Sequence, residues 1–269
     1  MYVPIDSQAT RARGWLAATQ VVNALPDHEA HNVIIGIENP LVHSAEDEAV
    51  EALVDQYLRS SGCMPLRSVA NTIFPEALYR RHGSPAFFKV YLEQVFPRLR
   101  RSSSDWGRYF DRLTRYETVT KGTINPLEDL VGKMRAQLES DRTFKNIYEL
   151  NIYDPVKDAG RVMGRQCLSF LSFKLAGNNQ LNLTAVYRNH YYTGRLLGNM
   201  IGLGNLMEFI ANETGADVGS LTIVSTHAQV DCPSSRAALK LLHDSCSASY
   251  GSTGKSERRP LGKEDTVPV

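Results

Sequence analysis

In residues 180–188, Leu181, Leu183, Ala185 and Tyr187 alternate with Asn182, Thr184, Val186 and Arg188, a period of two that predicts a strand with unlike faces. Apolar runs predict further strands at 32–37 (NVIIGI, closed by Glu-Asn-Pro), 144–153, 167–175 and 221–230. Helical spacing of apolar residues predicts helices over 18–25, 46–58, 129–138 and 234–242, and a long apolar helix over 199–214 that ends at Gly215. The two kinds of element mix without strict alternation, which predicts an α+β fold with helices on one face of a sheet. Residues 247–269 are rich in Ser, Gly, Pro and charge and read as a flexible C-terminal tail, or as a flap over a bound ligand. The folded unit is then 1–246.

Composition narrows the class. With 42% hydrophobic residues in 269, the chain can bury a sizeable core. Thirty Lys and Arg against 29 Asp and Glu give a net charge of +1, which argues against a nucleic-acid-coating protein or a polybasic membrane anchor but leaves room for a local anion pocket. No apolar run approaches the roughly 20 residues of a membrane span, and the first residues lack the apolar core of a secretory signal. Cys63, Cys167, Cys232 and Cys246 are too scattered for a disulfide scaffold or a zinc site. The expectation is a reduced, cytoplasmic protein without a metal.

Several residues have the chemistry of a site. Cys167, in GRQCLSF, stands at a loop-to-strand junction with Arg161 and Arg165 just upstream, and nearby cations raise a thiol's thiolate fraction. It is equally a buried structural cysteine. Arg188 ends a strand and precedes Asn189, His190 and two tyrosines, a setting for bidentate phosphate binding or for plain solvation. Asn199 opens the apolar helix, as an N-cap or as an amide that reads a pyrimidine edge. Glu76, after Pro75, suits the first turn of a helix. His227, Gln229 and Asp231 alternate on one presumptive strand face without a metal-binding spacing.

Taken in order, these segments resemble the thymidylate synthase family and its pyrimidine hydroxymethylase relatives, from about Ser68 to Asp231. GRQCLSF resembles the nucleophile segment, LTAVYRNHYY the strand ending in the phosphate-binding Arg, GNMIGLGNLMEFIA the helix whose Asn reads the base, and GSLTIVSTHAQVD the strand carrying sugar contacts. Upstream, EALYRRHG is similar to the helix of the catalytic Glu and WGRYFDRL to the segment whose Tyr approaches the nucleophile. After EDLVGKMR, DRTFK resembles the basic stretch that reaches the partner subunit's phosphate.

The resemblance implies a mixed sheet in one domain, a homodimer through that sheet with shared active sites, and 5,10-methylenetetrahydrofolate as co-substrate without a metal. It implies catalytic roles for Cys167, Glu76, Tyr109 and Asn199. Contacts to a pyrimidine nucleoside monophosphate fall on Arg188, Asn189, Gln229, Asp231 and Arg165, with Arg142 and Lys145 coming from the other subunit. There are departures from the family's pattern. Gln166 and Leu168 flank the Cys where methylating members have Pro and His, Tyr187 replaces a Gln, and Tyr191 replaces the folate-binding Asp. Gln229 and Asp231 replace a His and Tyr at the sugar. This pattern most resembles the CMP 5-hydroxymethylases of mildiomycin-type antibiotic pathways. A uridylate or deoxyuridylate methylase, or a nucleotide-binding protein without turnover, are the alternatives.

Overall fold

The computed structural model describes residues 2–99, 109–140, 144, 146–160, 162 and 164–251. The chain begins with β1 (Val3–Gln8), α1 (Arg11–Asn23), β2 (Glu29–Ile37), α2 (Ala45–Ser60), α3 (Leu66–Ile73), α4 (Glu76–His82), α5 (Ala86–Val90) and α6 (Tyr109–Thr114). A small hairpin, β3 (Tyr116–Thr118) and β4 (Gly122–Ile124), leads to α7 (Pro126–Leu138), β5 (Glu149–Asn151) and α8 (Pro155–Asp158). The second half holds β6 (Leu168–Leu175), β7 (Gln180–Tyr187), β8 (His190–Tyr191), α9 (Leu197–Thr214), β9 (Asp217–Gln229) and α10 (Arg236–Gly251). The main sheet has the order β1-β2-β9-β7-β6-β5, with β8 also on β9. It is mixed, since β1 on β2, β7 on β9 and β8 on β9 run parallel while the other neighbours run antiparallel. This is the α+β single domain with a mixed sheet that the sequence predicts, and it is consistent with the fold that the resemblance implies.

One face of the sheet is sealed by helices. Val33, Ile35, Leu171, Phe173, Leu183, Ala185, Leu221 and Ile223 are all buried there, beneath α1 and α9. The apolar helix α9 is buried nearly all round and stops at Gly215, whose φ of +79° suits a left-handed cap. Two glycines bring α3 against it: a Cβ on Gly198 would lie 2.6 Å from Val69 Cβ, and one on Gly202 would lie 2.7 Å from the Ala70 carbonyl. The opposite face of the sheet carries half-buried Ile34, Val186 and Val224 among Thr184, Thr222 and Ser172.

The strands share one irregularity, and it positions the site. Along β7 every second residue is buried up to Tyr187; then Arg188 and Asn189 both turn outward before His190 is buried again. The same two-residue slip occurs at Ser169–Phe170, Thr226–His227 and His31–Asn32. The register sets all four level, with Leu168 opposite Tyr187, Tyr187 opposite Ser225 and Ser225 opposite Val33. Asn32 adopts a φ of +54° there. One extra residue per strand bends and twists a sheet, so four strands bend together at the level of Cys167 and Arg188.

Two sequence expectations change. Only Glu149–Asn151 of the run 144–153 pairs as a strand. Ser247 to Gly251, counted in the tail by composition, continues α10. Tertiary anchoring explains this: the Tyr250 hydroxyl donates to Asp47 Oδ1 at 2.5 Å, and the Arg13 guanidinium lies 3.9 Å from the Tyr250 ring centre. Residues 252–269 lie outside the described residues. Among the described residues no helix is long and apolar enough to cross a membrane.

Candidate active site

Cys167 is half-buried at the start of β6. Burial raises its thiol above the ordinary range, and the guanidinia of Arg188 and Arg195 oppose that shift. The sequence pointed to Arg161 and Arg165 as the activating cations; Arg161 lies outside the described residues, and Arg188 and Arg195 are the cations that the fold turns toward the sulfur. Arg195 was missed because only the π-type turn Tyr192–Leu196 brings it round. Its Nη1 donates to Met64 Sδ at 3.2 Å.

Arg188 is held against the nucleophile loop. Its backbone N–H donates to the Cys167 carbonyl at 2.9 Å, Nε to the Gln166 carbonyl at 2.9 Å, and Nη2 to the Arg165 carbonyl at 3.1 Å. A guanidinium has five N–H groups, so donors remain for an anion. Arg165 therefore enters through its carbonyl. Tyr109 is buried, and its hydroxyl accepts from the Leu168 N–H at 3.4 Å, one residue from the sulfur. Burial pushes its phenol far above the ordinary range, so it stays protonated.

Asn199 belongs to a buried polar network. Its Nδ2 donates to His190 Nε2 at 3.0 Å, and His190 Nδ1 meets Ser225 Oγ at 3.0 Å. Ser225 Oγ also accepts from the Tyr192 hydroxyl at 3.2 Å. Burial lowers the His190 pKa to about 3, so the ring is neutral, and the proton on Nδ1 lets Nε2 accept. Tyr187 stacks on His190 with ring centres 3.9 Å apart. This network fixes the orientation of the Asn199 amide.

Four of the eight buried side-chain atoms without a partner among the described residues belong to this neighbourhood: Arg165 Nε, Gln166 Oε1, Tyr187 OH and Thr193 Oγ1. Buried polar groups are rarely left unpaired, and their concentration around Cys167 fits a polar ligand.

Two expected site residues are engaged elsewhere. Glu76 pairs with Arg80 at 2.6 Å and accepts from Asn205 Nδ2 at 3.3 Å. Asn205 is six residues beyond Asn199 on α9, about 9 Å along the axis. Glu76 faces a cavity of about 570 Å³ between α2, α3, α4 and α9, and neither Cys167, Tyr109, Arg188 nor Asn199 lines it. Asp231 does not share a strand face with Gln229, because β9 ends at Gln229. Its carboxylate instead accepts from the backbone N–H groups of Thr193 at 2.9 Å and Gly194 at 3.1 Å. Asp231 thus braces the turn that carries Arg195 and leads into α9. Gly194 permits this contact, since a Cβ there would come 2.7 Å from Asp231 Oδ2.

Gln229 and Asn189 end in a surface chain of hydrogen bonds. Gln229 Nε2 donates to Glu29 Oε1 at 2.7 Å, Glu29 Oε2 meets His227 Nε2 at 3.2 Å, and His227 Nδ1 meets Asn189 Oδ1 at 2.5 Å. Arg142 and Lys145 lie outside the described residues. No group of three or more His, Cys, Asp or Glu among the described residues is placed to hold a metal.

No family model matches the chain. Segments of it are similar to proteins named "Putative thymidylate synthase". The one from Methanosarcina barkeri is 30% identical over 64 residues, covering 24% of this chain and 29% of that protein. The one from Methanosarcina mazei is 33% identical over 64 residues with the same shares, and that from Methanothermobacter thermautotrophicus 27% over 107 residues, or 40% and 45%. The chain thus matches less than half the length of each relative. These partial matches point to the superfamily that the order of motifs resembles.

Proposed function

We propose that the chain is a one-carbon transferase acting at C5 of a pyrimidine nucleoside monophosphate, converting CMP to 5-hydroxymethyl-CMP. The observation that carries this reading is the thiol of Cys167 set between two arginines, one residue from a buried phenol, among unpaired polar atoms. The order of motifs and the partial likeness to the named relatives agree with it.

In the proposed reaction the Cys167 thiolate adds its electron pair to C6 of the ring. The C5–C6 π pair moves to C5, and negative charge spreads toward N3 and the C4 substituent, where Asn199 stabilises it. Arg188 holds the phosphate through its remaining donors, so that binding energy orients the ring. Tyr109, kept protonated, donates toward the sulfur region. The C5 hydrogen leaves as a proton, and loss of the thiolate from C6 restores the double bond. 5,10-Methylenetetrahydrofolate would supply the one-carbon unit, with water giving the hydroxyl. Tyr191, half-buried and paired with Gln229, brings no carboxylate to a pterin, so no residue is assigned to hold it. Glu76 is given no step, because its carboxylate is engaged by Arg80 and Asn205.

A homodimer through the open sheet face belongs to the same proposal, since Ile34, Val186 and Val224 would be covered there. The second reading, methylation of UMP or dUMP, draws on the partial likeness to proteins named "Putative thymidylate synthase". Incubating CMP, dCMP, UMP and dUMP with methylenetetrahydrofolate and weighing the products decides. A gain of CH2O on CMP supports the proposal; a gain of CH2 on a uridylate replaces it; no product from any of the four rejects turnover.

A further inference from the structure

We propose that Glu29, at the start of β2, is the residue that selects ribose over deoxyribose, a role that rests on the nucleotide reading above. Glu29 sits directly opposite Gln229 in the β2–β9 register, and its side chain remains 36% exposed. An ionised carboxylate offers about four lone-pair sites. Gln229 Nε2 and His227 Nε2 occupy one on each oxygen, so each oxygen retains an acceptor. The same bond orients the Gln229 amide, whose Oε1 is a further acceptor.

Neighbouring acceptors match two vicinal hydroxyls, each of which donates one proton. A 2′-deoxy sugar satisfies only one of them. The pair is tied to the phosphate end of the site: His227 links Glu29 to Asn189, and Asn189 is the backbone neighbour of Arg188. The level bend of the strands is what turns Arg188, Asn189 and His227 outward together. Asp231, bound to two backbone N–H groups, is not needed at the sugar.

The test compares wild type, Glu29→Gln and Glu29→Ala in calorimetric titrations with CMP and dCMP and with UMP and dUMP. Gln keeps the shape and one acceptor but places a donor where the second was. The wild type should bind each ribonucleotide about ten- to a hundredfold more tightly than its deoxy partner, and Glu29→Gln should reduce that ratio to within about twofold, mainly by weakening the ribonucleotide. A merely structural Glu29 would shift both members of a pair equally and leave the ratio unchanged, which overturns the assignment. A wild-type ratio near one overturns it as well. Failure of the wild type to bind any of the four overturns the nucleotide reading itself.

Discussion

The neutral state of His190 makes a sharp prediction about stability and pH. The ring is 1% exposed and burial lowers its pKa to about 3, against 6.5 for the free side chain. In the unfolded chain it takes a proton below pH 6.5, while in the fold it stays neutral down to about 3. Between those values the unfolded state binds more protons, so stability is complete above the upper value and is lost as pH falls. Each unit is worth about 1.4 kcal/mol, which sets a ceiling of about 5 kcal/mol and a loss of about 2 kcal/mol between pH 7 and 5. His190→Gln removes that titration. Other groups respond to pH as well: His243 and Asp47 are also lowered, whereas Asp231 is raised. They are common to both proteins and cancel in the difference. Urea unfolding at pH 5, 6, 7 and 8 should show the wild type's advantage over His190→Gln shrinking by about 2 kcal/mol between pH 7 and 5. Parallel profiles would refute the buried neutral ring and, with it, the fixed Asn199 amide.

Two further outcomes follow from the hydrogen bonds of Glu76 and Asp231. Glu76→Gln should leave kcat within about threefold of wild type, because the carboxylate faces Arg80 and Asn205 rather than Cys167; a hundredfold loss in a steady-state assay would return Glu76 to the chemistry. Asp231→Ala leaves the N–H groups of Thr193 and Gly194 unpaired, costing about 1–3 kcal/mol; a urea midpoint unchanged from wild type would mean that the turn holds without its brace.

The parts of the fold that could be read in the sequence are those with a local period. The alternation along β7 and the apolar length of α9 ending at Gly215 both stand where the pattern put them. β1 was overlooked because only Ile5 of its six residues is buried, too little to register as a period. Cys167, Arg188, Asn199 and Tyr109 were found as residue types in a familiar order, and hydrogen bonds tie Arg188 and Tyr109 to the Cys167 segment. Arg195 depends on a π-type turn, and Glu29 meets His227 across 198 residues of chain; neither leaves a local signal. Glu76 shows the converse. Its helix start is where the sequence placed it, but its partner Asn205 lies 129 residues further along the chain, beyond any local pattern. The bonds of Asp231 to the backbone N–H groups of Thr193 and Gly194 left no signal either, since every sequence contains such groups.

The central claim is that Cys167 adds to C6 of a pyrimidine nucleotide, and release of tritium from [5-³H]CMP into water tests it most directly. Wild-type protein should release tritium, and Cys167→Ala should release none while binding CMP within about tenfold of wild type. Release by the Cys167→Ala protein at the wild-type rate would contradict the covalent mechanism.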